Sequence, residues 1–409
     1  MNSESRDANS SQSAERLSVR VASGMSAFTR QEWSELAGAS KEKSGSPYNP
    51  FVSYDFLFSL EESGCAVTRT GWQGCHLRLE NEDGMLLGAV VCYAKSHSQG
   101  EYVFDHAWAD AFDRAGGDYY PKLQASTPFT PVTGPRLLVR RGQDAARIRT
   151  VLAEALRDVT GRLGASSAHV TFAGEADMTA LRSVGYLERV DQQFHFNNAG
   201  YATYDDFLAS LASRKRKALK KERREAVCAN VTIERLTGSD ISEEAWDSFF
   251  QFYMDTGGRK WGRPYLNRRF FALVGERLAD DILLVMARRD GRYIAGALNF
   301  IGSDRLFGRN WGCIEDHPFL HFEVCYHQAI DFAIERKLAV VEAGAQGEHK
   351  LARGYLPVQT HSAHYIAHAG LRNAIADYLK RERREVESIS HYFDEHSPFR
   401  KDGRSEPDQ

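Results

Sequence analysis

Long hydrophobic runs are absent from this chain. The longest apolar stretch, 85–94, has ten residues and includes a glycine, whereas a helix that spans a membrane needs about 20 apolar residues. The polar N-terminus, which begins MNSESRDANSS, lacks the apolar core of a secretory signal. These absences exclude a membrane-spanning protein and predict a cytoplasmic one.

A surplus of charge of either sign is also absent. Lys and Arg together number 52 and Asp and Glu 55, which gives a net charge of −3. A protein that binds DNA through its overall electrostatic field needs a basic surplus. We therefore exclude DNA as a partner, while a local basic patch remains compatible with the composition.

Signatures of metal, nucleotide and disulfide chemistry are missing as well. The six cysteines form no C-x-x-C pair and are scattered among apolar neighbours, so we predict buried free thiols and neither a disulfide scaffold nor a zinc site. No H-E-x-x-H, phosphate-loop, dinucleotide or G-x-S-x-G motif occurs. We expect no metal and no tightly bound cofactor.

The chain divides into two halves with the same predicted order of elements. Its 409 residues predict two domains, which we place at 17–197 and 198–398, between disordered tails at 1–16 and 399–409. Each half reads strand, helix, hairpin, helix and strand, which favours a duplicated domain.

The two halves also end alike. A buried strand leads through Gly174 to Gly185-Tyr186-Leu187 in the first, and through Gly344 to Gly354-Tyr355-Leu356 in the second. The class predicted is α/β (α+β), with mixed, mostly antiparallel sheets flanked by helices. The order resembles tandem acetyltransferase-like (GNAT) domains, a fold in which two neighbouring central strands splay apart and leave a cleft.

The segments between these glycines differ in their chemistry. Only the second half carries Glu348, His349 and Lys350, and alignment of the halves sets Ala180 opposite Lys350. A short helix that begins there aims N–H groups and a lysine at the cleft, as a developing oxyanion or a phosphate requires. The alternative is a solvated charged helix. We predict these three residues as catalytic, with Glu348 or His349 as the base.

A second cluster, 257–265, combines glycines with cations and aromatic rings. Arginines form bidentate bonds to phosphate or carboxylate, and Trp and Tyr offer stacking faces. We predict a substrate-binding loop, with an aromatic anchor that only packs the loop as the alternative. The residues concerned are Arg259, Lys260, Trp261, Arg263 and Tyr265.

The third cluster is the basic run 214–224, in which eight of eleven residues are Lys or Arg. We place it on a helix at 204–227. Such a run is usually a solvated face, but it can also contact a pyrophosphate or an RNA backbone. The predicted phosphate contacts are Arg214, Arg216, Lys217 and Arg223.

Two further segments bear on the ligand. The aromatic, Pro-rich stretch 101–135 is long for a turn and either lines a binding cleft or caps the sheet; it contains Lys122. Acetyl-CoA-dependent members of the fold carry Q/R-x-x-G-x-G/A where the central strand enters its helix. The segment 312–319, GCIEDHPF, lacks that glycine pair, which disfavours ordinary CoA binding in the second half.

Long stretches carry a family resemblance: NPFVSYDFLFSLEESGC, EYVFDHAWADAF, YYPKLQ, PFTPVTGPRLLV, RKWGRPYL and VEAGAQGEHKLARGYLP. They resemble predicted N-acyltransferases known as FemAB-like or peptidoglycan biosynthesis/recognition proteins, which are distantly similar to the Fem ligases. Those ligases transfer an amino acid from aminoacyl-tRNA to an amine of a peptidoglycan precursor, with a lysine at the position of Lys350. The predicted substrate-binding set also includes Arg309, Arg353, Tyr355 and Lys122.

The sequence thus predicts an N-acyltransferase whose second half holds the reaction centre. The partners expected are an amine-bearing substrate and an acyl donor, which is aminoacyl-tRNA or acyl-CoA. One alternative is an acyl-CoA-dependent N-acetyltransferase of small molecules. Another is a non-catalytic module that binds a muropeptide or RNA in the same cleft.

Overall fold

Mixed helices and strands alternate along the whole chain. The computed structural model describes residues 16–38, 47–261, 264–345 and 347–400. The strands of the first half are β1 Ser18–Ala22, β2 Trp72–Gly74, β3 His76–Glu80, β4 Leu86–Val90, β5 Tyr93–Lys95, β6 Lys122–Ala125, β7 Leu137–Val139, β8 Ser167–Ala173 and β9 Leu187–Asn197. Its helices are α1 Arg30–Ala37, α2 Tyr54–Glu62, α3 His106–Arg114, α4 Ala145–Arg162 and α5 Glu175–Ser183.

The second half begins with two helices and continues with a hairpin-rich sheet. Its helices are α6 Tyr204–Ser210, α7 Ser213–Ala226, α8 Glu243–Trp261, α9 Arg268–Arg277, α10 Leu320–Phe322, α11 Gln328–Glu335 and α12 Ala369–Glu395. Its strands are β10 Val231–Thr237, β11 Ile282–Arg289, β12 Arg292–Ile301, β13 Arg305–Cys313, β14 Val340–Glu342 and β15 Leu356–Ile366. A π-helical turn, Glu323–His327, joins α10 to α11, and a 3₁₀ helix, Glu348–Arg353, precedes β15.

The strands form one small sheet and one large sheet that both halves share. The small sheet has the order β1-β3-β4-β7, and the large one β10-β11-β12-β13-β14-β9-β15-β8-β6-β5-β2. The last strand of each half is exchanged, because β9 lies between β14 and β15 while β15 pairs with β8. The predicted boundary at 197/198 therefore falls within a continuous sheet, and the division into two domains stays a prediction.

Two parallel strand pairs interrupt the otherwise antiparallel pairing of the described strands. In the first half β6 pairs with β8, and in the second β13 pairs with β14. The second pairing spans only three residues, after which β13 continues to Cys313 while β14 ends at Glu342. The strands therefore separate beyond Phe307, and a cleft opens there.

A β-bulge lies at the same place. Leu298 of β12 pairs with Asn310 and Asn299 pairs with Gly308, so that Arg309 is the extra residue of β13. A bulge bends its strand and redirects side chains, and bulges occur often beside active sites. Here it carries β13 away from β14 and sets Arg309 at the mouth of the separation.

The equivalent gap in the first half is filled. Gly134 forms a parallel bridge to Ala173, and its N–H donates to the carbonyl of Phe172. The Arg136 guanidinium, which is buried, donates to the carbonyl oxygens of Thr171 and Val132. The stretch 101–135 therefore closes the first-half gap with its C-terminal part, in agreement with the capping alternative.

Several predictions about elements need correction. The helix expected at 204–227 is two helices, α6 and α7, because the chain turns at Leu211, which is buried and forms a bridge with Phe399. Phe399 also packs on Phe207, so the prediction of a disordered tail from 399 is wrong for this residue. Residues 1–15 and 401–409 lie outside the described residues.

The thiol prediction holds for half of the cysteines. Cys65, Cys75 and Cys92 are buried, and burial raises the pKa of each. It is wrong for Cys228, which is exposed after the end of α7, and for Cys313 and Cys325, which are half-buried. Among the described residues, none of the helices combines the length and apolar character needed to span a bilayer.

Candidate functional site

A cavity of about 120 Å³ lies where β13 and β14 separate. Its walls come from β12, from the bulged part of β13, from the end of β14 and from the π-helical turn. The lining residues that matter for chemistry are Asn299, Arg309, His321, Tyr326, Glu342 and Ala343. The predicted cleft between splayed strands is therefore present in the second half, with charged and aromatic groups around it.

Arg309 is the buried cation of this cavity. Its side chain is 6% exposed, and its guanidinium lies over the rings of Phe51 and Phe307, 4.7 and 5.4 Å from their centroids. Nη1 donates to the carbonyl of Gly308 at 2.8 Å, while Nε and Nη2 have no hydrogen-bond partner among the described residues. Burial lowers the pKa of Arg309 to about 10, which leaves it charged at neutral pH.

Glu342 is the buried anion opposite Arg309. Its side chain is fully buried, and Arg305 Nη1 donates to Oε1 at 2.9 Å. Oε2 has no hydrogen-bond partner in the described part of the chain and lies 3.6 Å from Arg309 Nη2, beyond hydrogen-bond distance. The register of β14 with β9 sets His195 opposite Glu342, and burial lowers the pKa of His195 while Glu342 opposes that change.

Lys350 contacts the backbone just beyond the end of β14. Two glycines with positive φ, Gly347 at 107° and Gly354 at 84°, bracket the 3₁₀ helix that carries it. The ammonium donates to the carbonyls of Ala343 at 2.6 Å and Gly344 at 3.1 Å. An ammonium has three N–H donors, so one has no acceptor among the described residues, next to Ala343, which lines the cavity. Burial lowers the pKa of Lys350 to about 8.

His349 also reaches the cavity, through a tyrosine. Its Nε2 lies 3.1 Å from the hydroxyl of Tyr326, which lines the cavity. Burial lowers the pKa of His349, and the nearby Arg353 and Lys350 lower it further, so the imidazole is neutral near pH 7. Glu348 lies in the same 3₁₀ helix, but its side chain is outside the described residues.

Arg353 and Tyr355, which we predicted as substrate-binding residues, are engaged inside the protein. Arg353 donates from Nε and Nη2 to the Glu222 carboxylate at 2.8 and 2.5 Å, and its guanidinium stacks on Phe322. Tyr355 is fully buried, and its hydroxyl donates to the carbonyl of Tyr326. Both residues hold the 3₁₀ helix in place.

The aromatic and cationic cluster at 257–265 is only partly described. Most of it belongs to the last turn of α8, so the loop that we predicted begins later. The side chains of Arg259, Lys260 and Trp261, and the whole of Arg263, lie outside the described residues. Tyr265 is half-exposed and stacks on Phe129 of the first half, with ring centroids 5.1 Å apart.

Tyr265 and Arg309 are brought near the long stretch of the first half. Partial burial raises the pKa of the Tyr102 hydroxyl, Tyr265 adds to that rise, and the Arg309 guanidinium opposes it. Tyr102 therefore lies within electrostatic range of Tyr265 and of Arg309. The N-terminal part of the stretch 101–135 borders the second-half site, while its C-terminal part closes the first-half gap.

The predicted phosphate contacts on α7 fall into two groups. Arg214 and Lys217 are exposed and Arg216 is half-buried, and the described residues form no ion pair with any of the three. Arg223 instead donates to the carboxylates of Glu323 and Asp331, both at 2.8 Å. Arg223 therefore anchors α7 to the π-helical turn and to α11, and we call the other three the free cations of α7.

Lys122 lies in a separate, fully buried charge cluster of the first half. Its ammonium donates to Glu101 Oε2 at 2.7 Å, to Ser98 Oγ at 2.8 Å and to the Asp105 carboxylate. Burial would lower the pKa of Lys122, but the two carboxylates raise it above its ordinary value. The ammonium is thus neutralised by its neighbours, and the structure does not bring Lys122 to the second-half cavity.

Comparison with known proteins identifies the family. The family model described as FemAB-like, peptidoglycan biosynthesis/recognition, matches residues 24–401. The chain belongs to the FemAB-like family. No curated protein matches the sequence.

Solved structures show how this FemAB-like chain folds. The crystal structure of FemX superposes with a TM-score of 0.54 at 13% identity, over 85% of this chain and 98% of FemX. L-PGS from Bacillus licheniformis gives 0.49 at 9%, over 82% and 98%. A tandem GNAT protein from the clavulanic acid biosynthesis pathway gives 0.45 at 11%, over 86% and 99%. The FemX likeness establishes the fold and confirms the predicted mixed α/β class.

Sequence reasoning missed several residues of the FemAB-like site, among them Glu342 and His195. Glu342 ends a buried strand two residues before Gly344, and His195 lies in the FHF end of β9. A carboxylate that ends an apolar strand next to a Gly-rich turn is a usable signal. His195 offered none, because it joins the site only through the exchange of β9 into the second-half sheet.

Proposed function

We propose that this FemAB-like protein is an N-acyltransferase that works in the cavity between β13 and β14. The observation that supports it best is the pair of buried, incompletely hydrogen-bonded charges, Arg309 and Glu342, at the point where the strands separate. Buried charges are costly unless they are paired, so such a site is expected to bind a polar ligand. Perturbed, buried groups in a cleft are typical of active sites.

The proposed reaction joins an amine to an activated acyl carbon. The nitrogen forms a bond to that carbon, the ester C–O bond of the donor breaks, and the proton that the nitrogen loses ends on the released hydroxyl group. The described part of the chain accepts two of the three N–H groups of Lys350, both at carbonyls next to the cavity, and leaves one donor for the substrate. That donor stabilises the negative oxygen of the tetrahedral intermediate.

The acyl donor that we favour is aminoacyl-tRNA, with a peptidoglycan precursor as a candidate amine acceptor. The free cations of α7, Arg214, Arg216 and Lys217, support a polyanionic donor. The segment 312–319, which enters α10, lacks the glycine pair expected for CoA. The description of the family points to peptidoglycan chemistry.

The experiment is a transfer assay read by mass spectrometry of the amide product. Purified protein is given charged tRNA or acyl-CoA together with a panel of amines that includes peptidoglycan precursors. We expect a new amide from charged tRNA, and a loss of turnover of about 100-fold in Lys350→Met. Lys380→Met is the matched control, because Lys380 is 70% exposed on α12.

Three outcomes would count against parts of the proposal. Equal turnover in Lys350→Met and the wild type removes the lysine from the mechanism. If product forms from acyl-CoA and not from charged tRNA, the donor is acyl-CoA. If the protein binds a ligand but forms no product from either donor, it is a binding module and not a transferase.

A further inference from the structure

Arg309 and Glu342 form a buried charge pair whose nearest atoms stand just beyond hydrogen-bond distance. The distance of 3.6 Å between Arg309 Nη2 and Glu342 Oε2 exceeds that of a hydrogen bond, although both side chains are buried. Arg309 Nε, Arg309 Nη2 and Glu342 Oε2 are all without a hydrogen-bond partner among the described residues. A buried charged group that lacks a hydrogen bond is destabilising, so the arrangement favours a ligand that makes these bonds.

The protein holds both partners in this position. Glu342 Oε1 is fixed by Arg305, and Arg309 Nη1 by the carbonyl of Gly308. The rings of Phe51 and Phe307 pack on the guanidinium, and the bulge at Arg309 separates its strand from β14. Because these contacts restrain both side chains, the unused donors and the unused acceptor are organised before a ligand arrives.

The unused atoms specify the chemistry of the ligand. Nε and Nη2 form one edge of the guanidinium, and their two parallel N–H bonds match the two oxygens of a carboxylate. Glu342 Oε2 accepts only, so it requires a donor such as an ammonium. The two atoms flank the same cavity, so one small ligand that carries both groups satisfies all three atoms.

The space is sufficient for such a head group. A single buried water needs about 15 Å³ of comparable volume, and the cavity offers about 120 Å³. Asn299, His321 and Tyr326 add further polar groups to its wall. A single bridging water therefore leaves most of the cavity empty.

We infer that this cavity binds an α-amino-acid head group, with its carboxylate on Arg309 and its ammonium on Glu342. The inference rests on the proposed function in one respect, since it assigns this head group to the amine acceptor. An aminoacyl donor has its carboxylate esterified and lacks the anion that Arg309 would bind.

The probes for the test are L-alanine and its two halves. Propionate keeps the carboxylate and lacks the amine, whereas ethylamine keeps the amine and lacks the carboxylate. We expect isothermal titration calorimetry to show that the wild type binds L-alanine at least about tenfold more tightly than either half. Arg309→Met should bind L-alanine only as weakly as ethylamine, and Glu342→Gln only as weakly as propionate.

Controls separate the charge pattern from general damage. Arg235→Met removes an arginine whose ion pair with Glu335 lies at the surface, and it should bind L-alanine as the wild type does. Arg309→Lys keeps the charge but loses the parallel N–H edge, so it should lose most of the preference for L-alanine over ethylamine. If Glu342→Gln fails to fold, the two Arg309 variants carry the test.

The outcomes distinguish this inference from the proposed function. Equal affinities for the three probes, or an unchanged affinity for L-alanine in Arg309→Met, overturn the inference. Transfer to amines without a carboxylate, combined with no L-alanine binding, overturns it while the transferase stands. Selective L-alanine binding without acyl transfer from any donor supports the inference and overturns the transferase.

Discussion

Replacement of Glu222 of α7 should damage the site although Glu222 does not line the cavity. Its carboxylate accepts both guanidinium bonds from Arg353 and lies 2.7 Å from His327 Nε2. Arg353 belongs to the 3₁₀ helix of Lys350, and its Nη1 donates to the carbonyl of His349 at 2.6 Å. Glu222→Gln should therefore destabilise the fold and loosen the turn that holds Lys350.

The magnitude follows from burial. The side chains of Glu222 and Arg353 are 10% and 7% exposed, and His327 is fully buried. Removing one partner of a buried ion pair costs about 3–5 kcal/mol. A glutamine still accepts one hydrogen bond, so we expect a decrease of about 3 kcal/mol in the free energy of unfolding. Urea denaturation followed by circular dichroism measures this decrease.

The matched control is Glu225→Gln on the same helix. Glu225 is half-exposed and lies 3.6 Å from Lys221, so its loss should change stability by less than about 0.5 kcal/mol. Equal stability of the two variants would refute the reasoning. The double variant Glu222→Gln, Arg353→Met should lose less free energy of unfolding than the sum of the two single variants, because each single change already breaks the same hydrogen bonds.

The pH dependence provides a second check on Glu222. Burial alone would raise the pKa of this carboxyl, but the hydrogen bonds from His327 and Arg353 lower it below its ordinary value. A carboxyl whose pKa is lower in the folded state stabilises the fold above its unfolded pKa of about 4.3. The stability difference between wild type and Glu222→Gln should therefore shrink as the pH falls below that value.

Three other predictions follow from buried or free cations. Burial lowers the pKa of Lys350 to about 8. Between about pH 8 and 10.4 the unfolded chain therefore binds more protons at this lysine than the folded chain does. Across that range the contribution of Lys350 to the free energy of unfolding should rise with pH by up to about 3 kcal/mol. Urea denaturation should show that this rise is absent in Lys350→Met. Lys122→Met should destabilise the fold by about 3–5 kcal/mol in the same assay, because it removes the ammonium that pairs with two buried carboxylates. Replacing the free cations of α7 with glutamine should lower the slope of log K against log salt for tRNA by about 2, measured by filter binding.

Local patterns in the sequence predicted most of the elements but not how they assemble. The hairpins and the helix at 145–162 follow from alternation and helical periodicity within short windows. The chain breaks between β4 and β5 at Val91 and Cys92, where it passes from the small sheet to the large one. The exchange of β9 and β15 depends on contacts between distant segments, which periodicity does not encode.

The same distinction applies to the site. Lys350 was predicted because the halves differ there, and Arg309 was among the predicted substrate-binding residues. Glu342 acquires its role only from the short parallel pairing of β13 with β14 and from the bulge opposite Leu298. Arg353 was predicted as a ligand contact because it lies beside a glycine. That sequence pattern is the same whether the partner of the arginine is a substrate or Glu222.

Among the described residues, the gap beside the parallel strand pair is filled in the first half and open in the second. In the first half the segment at Gly134 pairs with Ala173 and fills the gap beyond β6 and β8. The buried charges of that half, which surround Lys122, neutralise one another. The residue aligned with Lys350 there is Ala180, which is buried and carries no charge. In the second half the bulge keeps the gap open, and Arg309 and Glu342 retain unsatisfied bonds that face it. A packed gap stabilises the sheet, whereas an open gap leaves buried charges that a ligand can satisfy.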